Sequence, residues 1–231
     1  MHPEICKIGP LVIYSYGFML VVAFFVAVTL ASQEAKRRGI NPDLIFNLLF
    51  ISFISGIIGA RIFYVVENLG FYLKAPFEMI MLSHGGMSWF GGLILGVVSG
   101  IVYLKRKNMG IYKVVDLIIP FLALGQSICR IGCFLNGCCF GKDTLLIPAQ
   151  IISSFLLLLI FVILRFLQER PHKAGQIFYL YLFLYSIKRF FIEFWRADNQ
   201  IVFLNFTLFQ LISVVIFIFS VVQLVIILKR K

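Results

Sequence analysis

The run ICRIGCFLNGCCFGK, from Ile128 to Lys142, sets one arginine and four cysteines among small and apolar residues. Arg130 closes an apolar stretch that begins at Val114, and a charge at bilayer depth costs about 2.5–3.5 kcal/mol on insertion scales. A charge kept at that cost needs a partner or a task. A second group lies later in the chain, where Tyr185, Arg189, Glu193 and Arg196 follow i, i+4, i+8, i+11 spacing and share one helix face. Guanidinium groups hold phosphate oxygens through paired charge-assisted hydrogen bonds, so several arginines at one level of a membrane suit an anionic lipid phosphate. An Arg189–Glu193 pair alone also fits a simple lock between helices.

The elements that must position these groups follow from composition. The chain has 231 residues, is 61% hydrophobic and 13% charged, and has a mean hydropathy of +1.00. Such a chain cannot cover a soluble globule with polar groups. Apolar runs near the roughly 20 residues that a spanning helix needs predict an all-α polytopic membrane protein, residues 1–231 forming a single integral membrane domain. Seven spans are expected, at about 11–31, 44–66, 87–104, 114–131, 148–167, 176–194 and 205–228. The first is too long and too hydrophobic for a signal peptide, and its flank is hardly basic.

Basic residues in short loops are retained on the cytoplasmic side. Lys36, Arg37 and Arg38 follow the first span, Lys105, Arg106, Lys107 and Lys113 the third, Arg165, Arg170 and Lys173 the fifth, and Lys229, Arg230 and Lys231 the seventh. The alternating loops carry little net positive charge. The expected topology therefore has the N-terminus outside and the C-terminus inside, and the net charge of +11 reads as a topology signal with attraction to anionic lipid. Nucleic acid as a partner has no support.

With that topology Arg61, His84–Leu93, Arg130 and the Arg189–Arg196 face all fall near the outer leaflet. Within HGGMSWFGGL the glycines Gly85, Gly86, Gly91 and Gly92 would singly fit close helix packing, but the run of GG, two aromatic residues and GG better suits a re-entrant backbone lining a cavity, which a membrane tolerates only where protein or water satisfies its polar groups. The fold is therefore expected to include a re-entrant glycine-rich segment. Tyr16, on an otherwise apolar first helix, fits an interfacial anchor. Cys129, Cys133, Cys138 and Cys139 lack the paired short spacing of a structural zinc knuckle, so no metal is expected; a disulfide or small apolar fillers remain open. No histidine and carboxylate stand at a spacing that indicates a cysteine nucleophile.

These residues resemble the phosphatidylglycerol–prolipoprotein diacylglyceryl transferase family. The resemblance runs through IGPLVIYSYG (8–17), NLLFISFISGIIGARIFY (47–64), GGMSWFGGLILG (85–96), Asp116 and Pro120, CRIGCFLNGCCFG (129–141), Pro148 with Gln150, and RFFIEFWRADN (189–199). It implies a multi-pass enzyme of the bacterial inner membrane that needs no cofactor. Its substrates would be phosphatidylglycerol, drawn from membrane lipid, and a preprolipoprotein signal peptide with its lipobox cysteine; diacylglyceryl passes to the thiol and glycerol phosphate leaves. It further implies that Arg130 and Arg189 hold the phosphate, that Glu193 orients an arginine, that Asn136 and Gly141 shape the headgroup pocket, and that Tyr16, Arg61, Arg196 and the glycines of 85–92 complete the substrate site. The family's usual histidine is replaced by Phe90, and His84 is the nearest imidazole for the role of base. Its other departures are Cys133, Ile152, Ser153 and a short segment between Gly141 and Pro148. Two alternatives stay open: a non-catalytic phospholipid-binding or scrambling relative, and a transferase acting on another acceptor.

Overall fold

The computed structural model describes residues 4–8, 11–80, 85–138, 141, 147–196, 201–203 and 206–229. His84, Cys139 and the Lys142–Asp143 loop of the sequence reading lie outside these residues. The protein is built of helices: α1 Ser15–Arg37, α2 Pro42–Glu67, the single turn α3 Leu69–Tyr72, α4 Trp89–Arg106, α5 Ile111–Asn136, α6 Ala149–Gln168, α7 Gln176–Trp195 and α8 Leu208–Lys229. Two short antiparallel hairpins accompany them, β1 Glu4–Ile8 with β2 Leu11–Tyr14 and β3 Ile201–Phe203 with β4 Phe206–Thr207. The all-α polytopic expectation holds. Among the described residues six helices, all the long ones except α7, have the length and apolar composition to cross a membrane.

Helix ends are set by local chemistry. At the ends of α1, α4 and α5 a residue at positive φ, Gly39 (70°), Asn108 (53°) or Gly137 (72°), turns the backbone back. Paired bonds then close each end: Ile40 N–H to the Ala35 carbonyl with Gly39 to Lys36, Met109 to Leu104 with Asn108 to Lys105, and Cys138 to Cys133 with Gly137 to Phe134. This is the Schellman arrangement, which satisfies carbonyls that the helix itself leaves open. α2 starts where the Asn41 side chain accepts the Asp43 N–H at 2.9 Å, with Pro42 at the first helical position, where its missing N–H has no helical partner to lose.

Contacts group the chain into two compact units, residues 1–31 with 112–231, and residues 32–111. In the second unit α2 and α4 meet through glycine. A Cβ on Gly59 would stand 2.7 Å from the Leu95 Cβ, and one on Gly91 2.5 Å from the Phe63 Cβ, while Gly92 and Gly96 lie against Gly56. The missing side chains let the two backbones approach, as small residues do between membrane helices.

In the first unit α1 lies on α5. A Cβ at Gly125 would meet Ala23 and Ala27, and one at Gly132 would stand 2.7 Å from the Met19 Cβ, so a stripe of small residues carries Tyr16 to the C-terminal end of α5. Ser127 of α5 and Ser154 of α6 exchange hydrogen bonds of 2.8–3.0 Å. Asp116, 3% exposed, accepts the N–H groups of Gly175 (2.6 Å) and Phe178 (2.8 Å). It caps the start of α7 with a negative charge where the helix dipole is positive. Gln168, at the end of α6, donates to the Asp116 and Leu117 carbonyls. An apolar cluster of Ile119, Ala123, Ile160, Leu164, Ile177 and Tyr181 fills the space among these three helices.

Candidate phosphate site and the arginine-built loop

The C-terminal ends of α5 and α7 bring the first unit's charged residues together. Gly141 and Arg196 form an antiparallel backbone bridge, and Gln150 donates to the Cys138 carbonyl at 2.9 Å, which fixes the segment beyond the α5 cap. Arg130 sits between one and two turns before that cap and is half-buried. Arg189 is 9% exposed and Glu193 3%; their Nη2 and Oε2 atoms are 3.2 Å apart. The Thr207 hydroxyl donates to Glu193 Oε1 at 2.8 Å, and the Arg189 guanidinium lies 4.4 Å over the Phe209 ring. Arg189 is thus steered by a carboxylate on its own helix and an aromatic face on α8.

One residue of this group escaped the sequence reading. Lys188, 5% exposed, lies within electrostatic reach of Arg130, Arg189 and Arg196, and Arg189 in turn feels Arg130 and Arg196. Among the described residues neither Arg130 nor Lys188 has a hydrogen-bond or ion-pair partner, and the Lys188 ammonium has the Tyr185 ring at 4.9 Å. The sequence held two signals for it: Lys188 falls three residues after Tyr185, on the same helix face, and it interrupts an otherwise apolar run. Tyr16 is close to Arg130 and to Cys129, Cys133 and Cys138. Among the described residues none of those three cysteines is joined in a disulfide. Asn136 is the last residue of α5 and half-buried.

In the second unit Arg61 is 6% exposed and meets the glycine-rich segment. Its Nε donates to the Met79 carbonyl at 3.0 Å, Nη1 to the carbonyls of Gly85 and Gly86, and Nη2 to that of Glu78, while the Tyr72 ring lies 5.4 Å from its central carbon. Four main-chain oxygens, two at the end of the short 3-10 helix Pro76–Met79 and two in the irregular backbone of Gly85 and Gly86, are satisfied by one side chain, which is the condition for such backbone to exist in an apolar setting. Gly85 and Gly86 adopt φ of 75° and 77°, and a Cβ on Gly86 would collide with the Tyr64 ring. Ser88 then ties the segment to α2 through its N–H and the Ala60 carbonyl, 2.9 Å. Gly91 and Gly92 stand in the α2–α4 contact described above, where packing alone calls for glycine. Phe90, in the first turn of α4, is exposed and packs edge-on to Trp89 at 5.3 Å.

Among the described residues Arg130, Lys188 and Arg189 gather with one carboxylate, Glu193, and Arg196 lies within electrostatic reach. The arrangement can bind an anion with several oxygens, and among the described residues no acceptor engages Arg130 or Lys188.

The family model for prolipoprotein diacylglyceryl transferase matches residues 3–226. Three relatives carry the name phosphatidylglycerol–prolipoprotein diacylglyceryl transferase. The Clostridium tetani protein is 34% identical over 218 residues, covering 87% of both chains. The Staphylococcus haemolyticus protein is 32% identical over 247 residues, 97% of this chain and 88% of the relative. The Fusobacterium nucleatum protein is 40% identical over 144 residues, 62% of this chain and 50% of the relative.

Proposed function

Since the chain belongs to the prolipoprotein diacylglyceryl transferase family, we propose that it transfers diacylglyceryl from phosphatidylglycerol to the lipobox cysteine thiol of a preprolipoprotein, as a multi-pass protein of the bacterial inner membrane. The observation that carries this reading to the residues is a pair of cations, half-buried Arg130 and buried Lys188, that meet no acceptor among the described residues and lie beside the Arg189–Glu193 pair. A phosphodiester headgroup is the anion that a membrane supplies at that depth.

In the proposed reaction the thiolate attacks the glycerol carbon that bears the phosphate. A sulfur–carbon bond forms, the carbon–oxygen bond breaks with its electron pair staying on oxygen, and glycerol phosphate departs. Arg130 and Arg189 hold the phosphate and stabilise the charge gained by the leaving oxygen, a preorganised electrostatic effect worth a few kcal/mol per well-placed donor. Glu193 keeps Arg189 in position. Asn136, Gly141, Tyr16 and Arg196 line the headgroup side. Arg61 acts through the loop it holds, and Gly85 and Gly86 give that loop its shape. The thiol proton is lost before attack; a free thiol with a pKa of about 8.5 already supplies a few per cent thiolate at neutral pH, so Phe90 in the histidine position does not forbid turnover.

The test is direct. Purified protein, labelled phosphatidylglycerol and a lipobox peptide should yield a thioether-lipidated peptide and glycerol phosphate, and the same peptide with serine in place of cysteine should yield neither. Retention of labelled lipid without product at any pH would instead support a phospholipid-binding relative, and lipidation of a different nucleophile another acceptor.

A further inference from the structure

The cations gathered at this site exceed what a phosphodiester monoanion needs. Among the described residues Arg130, Lys188 and Arg189 stand with one carboxylate, that of Glu193, and Lys188, within electrostatic reach of three guanidinium groups, is nine-tenths buried yet meets no acceptor there. A structural lysine in such a place is expected to carry an acidic partner, because an uncompensated buried charge is strongly unfavourable. Three guanidinium groups around it add repulsion. The arrangement is therefore poor as scaffolding and good as a receptor for an anion of high charge.

We propose that Lys188 is a further phosphate ligand and that it recognises the phosphomonoester dianion formed when diacylglyceryl leaves. This rests on the transferase reading and deepens it. The charge balance gives the reason. Thiolate and phosphodiester enter with one negative charge each; the sulfur–carbon bond forms, the carbon–oxygen bond breaks, and both charges end on the departing phosphomonoester, whose second pKa is near 6. A cation placed for that gain of charge binds the transition state and the product better than the substrate, which is how a contact raises turnover rather than ground-state affinity. Lys188, on α7 with the ring of Tyr185 at 4.9 Å from its Nζ, has N–H donors that meet no acceptor among the described residues.

The experiment compares wild type with Lys188→Met and Lys188→Arg in phosphatidylglycerol vesicles, measuring kcat, KM and inhibition by free glycerol phosphate, with glycerophosphoglycerol as the phosphodiester control. Lys188→Met should lower kcat about 10²-fold with KM changed less than about threefold, and weaken inhibition by glycerol phosphate at least about tenfold while leaving the diester control nearly unchanged. Lys188→Arg should recover most of both. Since the methionine removes a buried charge, its melting temperature should not fall. If it does fall, glycerol phosphate binding to the arginine variant and to wild type, read against the diester, decides the matter: equal affinity for monoester and diester in wild type overturns the proposal. Unchanged product inhibition in Lys188→Met overturns it as well, including the case in which raised pH restores its rate, which would make the side chain a proton acceptor instead. A wild type that binds glycerol phosphate selectively but transfers nothing would refute the transferase reading and leave Lys188 as an anion ligand.

Discussion

At the residue scale Arg130 and Arg189, the two arginines expected to hold the phosphate, have different protein surroundings, and this predicts different phenotypes. Arg130 has no protein acceptor among the described residues, so Arg130→Ala should fold with a normal melting temperature and lose transfer. Arg130→Lys should already lose about 10²-fold, because a point charge cannot reproduce a two-pronged contact. Arg189 is tied to Glu193 at 3.2 Å, and removing one member of a buried pair costs roughly 3–5 kcal/mol; Arg189→Ala should therefore depress both stability and rate, which thermal unfolding and turnover measured on the same preparation would separate. Arg130→Ala that keeps full activity would remove the phosphate role altogether. For the proton, His84→Ala distinguishes two cases. A His84 base predicts a loss of about 10²-fold, whereas free thiolate attack predicts a nearly normal variant and a wild-type rate that climbs with pH toward the pKa of the acceptor thiol. No transfer at any pH in wild type, together with transfer in Phe90→His, would mark the natural chain as a lipid-binding relative.

At the scale of elements, hydrophobic runs made the long helices legible, and their ends depended on chemistry that hydropathy does not weigh. The first span was expected from Leu11 but the helix starts at Ser15, because residues 11–14 pair with 4–8 as a hairpin. It was expected to stop at Ala31, yet it continues to Arg37, since Lys and Arg are good helix formers and favour a C-terminal turn. α5 likewise runs through Arg130 to Asn136 and ends only where Gly137 can adopt positive φ. Tertiary facts were less legible. That Arg61 holds four main-chain carbonyls, or that Lys188 is buried beside three arginines, depends on contacts between distant segments, and one sequence gives residue types without neighbours. The glycine-rich run was expected as one re-entrant segment, but its two halves differ: Gly85 and Gly86 form irregular backbone, while Gly91 and Gly92 lie in a helix contact. This predicts a contrast. Gly91→Leu should destabilise the protein, since the side chain would meet the Gly59 carbonyl and the Phe63 Cβ, with a cost of several kcal/mol by analogy with overpacking. Gly85→Ala has open space around its Cβ and should show only the strain of positive φ, about 1–2 kcal/mol; detergent-solubilised melting curves would show whether that ranking holds.

At the scale of the whole molecule, the placement of α7 decides the topology. Six helices qualify as spans by length and composition; α7 has 20 residues but carries Lys188, Arg189 and Glu193. If all seven cross, the basic C-terminal ends of α1 (Lys36, Arg37), α4 (Lys105, Arg106), α6 (Arg165) and α8 (Lys229) share one side, as retention of Lys and Arg in the cytoplasm requires. If α7 did not cross, α8 would run the other way and its basic end would face outward. The internal chemistry of α7 favours crossing, because its charges are covered by protein: Glu193 by Thr207, Arg189 by Glu193 and Phe209, and Lys188 by burial. Charges inside a membrane are tolerated when they face protein or a polar cavity. A reporter fused after Lys231 should then read as cytoplasmic, one inserted at Lys142 as extracytoplasmic, and one inserted at His172, between α6 and α7, as cytoplasmic. Agreement of the first and third with disagreement of the second means that α6, α7 and α8 each cross, whereas Lys231 and His172 on opposite sides would show that α7 does not span, and the phosphate site assigned to its outer end would have to be abandoned.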